Sequence, residues 1–94
     1  MIALTLAQIA EAVSGEVRLA DGDTLETIVS GLVDTDSREI GVGDIFVAKP
    51  GEVTDGHEFV GTARERGAVL ALVERPVDVE VTQIVVANVI HALA

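Results

Sequence analysis

The 94-residue chain carries 16 acidic residues against 6 basic ones, a formal net charge of −10. That balance excludes phosphate-backbone binding and anionic membrane surfaces, which need clustered Lys and Arg. Phe46 and Phe59 are the only aromatic residues and cysteine is absent, which removes base-stacking platforms, disulfides, thiolate zinc sites and cysteine nucleophiles.

Length suits one domain. No apolar run reaches the roughly 18 residues of a membrane span, and no basic segment followed by an apolar one opens the chain as in a secretory signal. The expectation is a cytoplasmic protein.

In chain order, "TLAQIAEAVS" (5–14) predicts a helix. Leu6, Ile9, Ala10 and Val13 share one face, Thr5 and Gln8 make a capping box, and Gly15 stands where a left-handed cap is wanted. A short strand follows at 16–19, then a turn at "ADGD" (20–23). Residues 24–34 read as a strand entering a polar cluster. "GVGD" (41–44) is a turn and "IFVAK" (45–49) a strand. "DGHEFVGTARERG" (55–67) reads as a helix, with Asp55 capping, Glu58 at the capping-box spacing, Phe59 and Ala63 on one face, and Gly67 ending it. "AVLALVE" (68–74) has the continuous apolar character of a strand buried on both sides. Pro76 breaks it, "TQIVVA" (82–87) is another buried strand, and Asn88 caps a helix over "VIHALA". Strands alternating with helices imply an α/β sheet. The chain stops in mid-helix at Leu93 and Ala94, which reads as a cut with further sequence beyond.

Most of the polar chemistry lies in "VDTDSREIGVGDIFVAKPGEVTDGHEF" (33–59), on both sides of the strand at 45–49. No phosphate-cradling G-x-x-x-x-G-K-[ST] loop is present, and "GVGD" opens a strand where a dinucleotide fingerprint would open a helix. Asp34, Asp36, Asp55 and His57 would hold a metal only if they converged in space, and acidic residues in turns are ordinarily solvated caps. The ordinary role of His57 is a surface or capping histidine. No serine or cysteine nucleophile has an evident partner. A binding surface fits better. Loops rich in Ser, Thr, Gly and backbone amides offer donors and acceptors to a flat polar ring such as uracil without net charge. The loop at 51–56 leads into a helix N-terminus that favours an anion such as a diphosphate, with Arg38 and Lys49 as nearby cations. The ordinary alternative for Thr35 and Ser37 is a hydroxyl closing its own turn.

"DTDSREIGVGDIFVAKPGEVTDGHEF", then "GAVLALVE" and "QIVVAN", resembles the N-terminal domain of the Mur peptide ligases over essentially all 94 residues. The opening "MIALTLAQIAEAVSGEV" and the "DGHEF" form are similar to the MurF type more than to the MurE type. The resemblance implies a single small α/β domain, 1–94, with a mixed, mostly parallel sheet flanked by helices. It also implies a division of labour in the full-length enzyme. This domain holds the uridine end of UDP-MurNAc-tripeptide, a central domain binds ATP and Mg²⁺, and a C-terminal domain brings D-Ala-D-Ala. No catalytic residue, metal or cofactor falls to this chain, and neither nucleic acid nor membrane insertion is implied.

Carried over by motif, Thr35 and Ser37 fall on a first uridine-facing loop, and Glu52, Val53 and Thr54 on a second. Val53 departs from the pattern, since relatives often carry a basic residue there, so a main-chain contact is what the resemblance implies. Asp36, Arg38, Lys49, Asp55 and His57 are candidates for loop support or phosphate contact. The rival expectations are a stand-alone acidic interaction module, the MurE-type domain, and a small metal-dependent enzyme using the aspartates and His57.

Overall fold

The computed structural model describes residues 3–93; Met1, Ile2 and the last residue of "VIHALA" lie outside it. The elements are β1 (Leu4–Thr5), α1 (Leu6–Val13), β2 (Glu16–Arg18), β3 (Ile28–Val29), β4 (Val33–Asp34), β5 (Ile45–Val47), α2 (Val60–Glu65), β6 (Leu70–Val73), β7 (Thr82–Val85) and α3 (Val89–Leu93). Single 3₁₀ turns occupy Ser37–Glu39 and Gly56–Phe59.

Five strands form one sheet in the order β2-β7-β6-β5-β4. Strands β4 to β7 run parallel, and β2 pairs antiparallel with β7 at one edge. This is the mixed, mostly parallel sheet expected of the chain. Successive strand side chains point to opposite faces, so the sheet divides the apolar residues into two cores. Ile45, Val47, Leu70, Leu72, Ile84 and Val86 pack with Leu6, Ala10 and Val89 under α1 and α3. Phe46, Ala48, Ala71 and Val73 pack with Ile40, Val60, Ala63 and Val81 under α2. All four residues of β6 are buried, as its unbroken apolar run requires of a central parallel strand.

Helix α1 starts as its sequence dictates. Thr5 Oγ1 accepts the Gln8 amide at 3.1 Å and Gln8 Oε1 accepts the Thr5 amide at 2.9 Å, so two orphan donors are satisfied reciprocally. Its end differs from expectation. The left-handed residue is Ser14, with φ 54°, and Gly15 is needed for another reason: a Cβ there would overlap the side chain of Ile84 on β7.

Two further expectations are corrected. The strand over 24–34 is really two short strands in different sheets, because β3 turns away to pair with β1 while β4 joins the main sheet. Gly31 sits at the switch, where a Cβ would overlap the Gly43 carbonyl. The helix over 55–67 opens as a 3₁₀ turn, and only Val60–Glu65 is α-helical. Asp55 caps through the His57 amide in place of a capping box with Glu58, and Val60, not Phe59, shares the buried face with Ala63. Gly67, at φ 112°, does end the segment.

Candidate functional site

Strands β4 and β5 run side by side and both end at the same edge of the molecule, each followed by one half of the polar stretch. Between the two loops lies a cavity of about 510 Å³. Thr35, Ser37 and Arg38 line it from the first loop, Lys49, Thr54 and Gly56 from the second, and Phe46 and Phe59 supply apolar walls. A hollow outside the carboxyl ends of parallel strands is the usual ligand position in α/β sheets, and the volume suits a small-molecule site.

The first loop is held by its carboxylates. Asp34 Oδ1 accepts the Asp36 amide at 2.8 Å, Asp36 Oδ1 accepts the Arg38 amide at 2.9 Å, and the Arg38 guanidinium grips Asp36 through two further bonds at 3.0 and 2.9 Å. That pairing with Arg38 lowers the Asp36 pKa to about 2 and raises that of Arg38. Among the described residues the hydroxyls of Thr35, Ser37 and Thr54 take no part in these turn-closing bonds, and all three residues line the hollow. Ser37 itself is largely buried in its wall.

The second loop is closed at its base, where the Gly56 amide donates to the Lys49 carbonyl at 2.8 Å. A Cβ at Gly56 would sit 2.6 Å from the Lys49 nitrogen, so only glycine permits this approach. The expectation of a diphosphate at the following helix N-terminus is corrected here. The His57 amide is taken by Asp55 Oδ1 at 3.0 Å and the Glu58 amide by the Asp55 carbonyl at 3.0 Å. The amides an anion would need are occupied, and a carboxylate stands beside them.

His57 is not a surface residue. Its side chain is 1% exposed and Nδ1 lies 2.7 Å from Asp55 Oδ1. Nε2 accepts the main-chain N–H of Glu74, at the end of β6, at 2.9 Å, so the proton sits on Nδ1 and is donated to Asp55. Arg75 donates to the other Asp55 oxygen at 2.7 Å. Bonds from Arg75 and from His57 hold the Asp55 carboxyl well below the usual carboxylate range. Glu74 in turn accepts the Val89 amide at the start of α3 at 3.0 Å.

The two loops therefore bring Thr35, Asp36, Ser37, Arg38, Lys49 and Thr54 to one cavity. Glu52 and Val53 are exposed on the tip of the second loop, Val53 at 99%, outside the lining. Asp55 and His57 stand behind that loop. Phe46 and Phe59 were not anticipated as wall residues. Helical spacing puts Phe59 on one face with Ala63, but the 3₁₀ turn removes that spacing and leaves Phe59 half-exposed. Among the described residues no three His, Cys, Asp or Glu side chains gather to hold a metal ion, and no helix is long and apolar enough to cross a membrane.

Fold and cavity together define a small α/β domain with a pocket beside the ends of two parallel strands, lined by hydroxyls, the Asp36–Arg38 ion pair, Lys49 and two phenylalanines. The family description "Mur ligase family, catalytic domain" matches residues 31–93. Over 80 residues the chain is 46% identical to a UDP-N-acetylmuramoyl-tripeptide–D-alanyl-D-alanine ligase of Mycobacterium bovis, covering 84% of this chain and 16% of the relative. It is 40% identical over 73 residues to a UDP-N-acetylmuramoyl-L-alanyl-D-glutamate–2,6-diaminopimelate ligase of Listeria monocytogenes, covering 78% of this chain and 15% of that relative. A crystal structure of MurF from Acinetobacter baumannii superimposes with a TM-score of 0.83 at 36% identity, over 99% of this chain and 20% of that one. The chain belongs to the Mur ligase family, and its likeness extends to enzymes of the MurF type. It spans about a sixth of the length of the curated relatives it matches.

Proposed function

We propose that this chain holds the uridine end of UDP-MurNAc-tripeptide, as the amino-terminal domain of a MurF-type ligase working in cytoplasmic peptidoglycan precursor synthesis. The observation that carries it is the gathering of Thr35, Ser37 and Thr54 with Lys49 around one cavity. Uracil presents an acceptor, a donor and an acceptor along one edge, and hydroxyls can meet either kind. Phe59 offers an apolar wall to the ring. Lys49 forms no ion pair among the described residues, so it supplies positive charge to a diphosphate, and Arg38 has further N–H groups beyond its pairing with Asp36. The names of the Mycobacterium and Listeria relatives share the UDP-N-acetylmuramoyl group and differ in the peptide and in the group added. A domain common to both types would hold what they share. On this reading ATP, Mg²⁺ and D-Ala-D-Ala are handled elsewhere in a full-length ligase, and no residue of this chain is assigned to Mg²⁺.

Ligand-observed NMR tests the proposal. The uridine protons of UDP should show saturation transfer from the protein, reduced by Ser37→Ala, while adenosine diphosphate should show far less. Absence of transfer at millimolar UDP would reject the reading for this chain.

A further inference from the structure

We propose that His57 is the positioning residue for the second cavity loop, and that it acts through its neutral Nδ1–H tautomer. This rests on the reading of the cavity as a uridine diphosphate site. His57 does not line the cavity; Lys49, Thr54 and Gly56 do. All three belong to a loop whose sheet-proximal end is the Asp55–Gly56–His57 segment.

A buried imidazole costs the desolvation of two polar nitrogens, so a residue filling this space for packing alone would be aliphatic. Here each nitrogen has a defined task. Nδ1–H gives a bond to Asp55 on the loop and Nε2 takes one from the Glu74 amide at the end of β6. Only a side chain that donates in one direction and accepts in the other can tie those two segments together. Arg75, next to Glu74, grips the second Asp55 oxygen. Asp55 is thereby held from two sides by the end of β6, once through His57 and once directly. With the loop also closed at Gly56 and Lys49, the placement of Thr54 and Lys49 against a ligand follows from that clasp. The chemistry is that of an outer residue orienting the groups that touch a ligand.

Three variants and one spectrum test it. Asn at 57 reproduces the donor toward Asp55, Gln reproduces the acceptor toward Glu74, and Phe fills the volume with neither. In the 94-residue chain, imidazole ¹⁵N shifts of His57 near pH 8 should show Nδ1 protonated and Nε2 bare. Among folded molecules, His57→Phe should weaken UDP binding about tenfold or more and speed hydrogen exchange at the Gly56 amide, and His57→Asn or His57→Gln should recover part of both. The opposite tautomer would overturn the proposal. So would a His57→Phe protein that loses thermal stability yet keeps UDP affinity within about twofold and Gly56 exchange unchanged, for that is a packing role alone. If the unaltered chain binds no uridine compound, the functional reading fails separately, and the tautomer and the Gly56 exchange still decide this one. Should His57→Phe not fold, the Asn and Gln variants and the imidazole spectrum decide it.

Discussion

Asp44 and Leu32 are joined at the amino-terminal edge of strands β4 and β5, opposite the cavity, by a 3.0 Å hydrogen bond from the Leu32 amide to Asp44 Oδ1. The second carboxylate oxygen takes the Gly41 amide at 2.9 Å. One side chain thus closes the turn before β5 and fastens the chain entering β4, which puts the two cavity loops in register. Asp44→Ala should lower unfolding free energy by about 2–3 kcal/mol, the cost of two main-chain donors left without their charged acceptor. Urea denaturation measures it, and a loss below about 0.5 kcal/mol would place it among ordinary surface substitutions.

Ser37→Ala separates binding from folding. The turn containing Ser37 is closed by Asp34 and Asp36, so the variant should keep its stability within about 0.5 kcal/mol and weaken UDP binding by about 1 kcal/mol. Equal losses in denaturation and in titration would return the hydroxyl to a structural role.

Lys49→Met distinguishes the parts of the ligand. Removing the ammonium should cost UDP about 1 kcal/mol, given its exposure to solvent, and uridine almost nothing. Parallel calorimetric titrations with the two ligands read the difference. Equal losses would move Lys49 away from the diphosphate.

Acid should unfold this protein through its loops. The Asp36 pKa is lowered from 3.8 to about 2 by its Arg38 hydrogen bonds, and that of Asp55 is lowered by Arg75 and His57. A carboxylate depressed in the folded state adds stability that is fully present above its unfolded pKa and lost as pH falls through the folded one. Stability from Asp36 should therefore hold above about pH 4 and fade between about 4 and 2, with the Asp55 contribution persisting lower. Thermal melts across that range check it, and Arg38→Ala, which releases the Asp36 carboxyl toward its ordinary value, should lower stability near neutral pH and flatten the decline between about pH 4 and 2.

The elements legible in the sequence were those decided by local chemistry. The Thr5 and Gln8 box, the apolar face of α1 and the unbroken apolar run of β6 each carry their signal within a few residues. What stayed hidden depended on distant neighbours. Gly15 resembles a left-handed cap until Ile84 is seen packed against it, and the division of 24–34 into β3 and β4 depends on the passage of Gly31 beside Gly43. The polar stretch pointed to both cavity loops, yet it left His57 open between a surface or capping histidine and a loop support, because its partner Glu74 lies 17 residues away in sequence. Phe59 was misread for a similar reason, since helical spacing cannot foresee a 3₁₀ turn.

The closed base of the Lys49–Gly56 loop makes its tip an interchangeable part. Because the Gly56–Lys49 bond and the grip on Asp55 fix both ends of the loop, the exposed residues 52 and 53 can change in character without a strand shifting. Gly51, by contrast, is fixed because a Cβ there would overlap the Thr54 carbonyl. A graft of tip sequences from other chains onto this base would retune ligand choice on an unaltered scaffold.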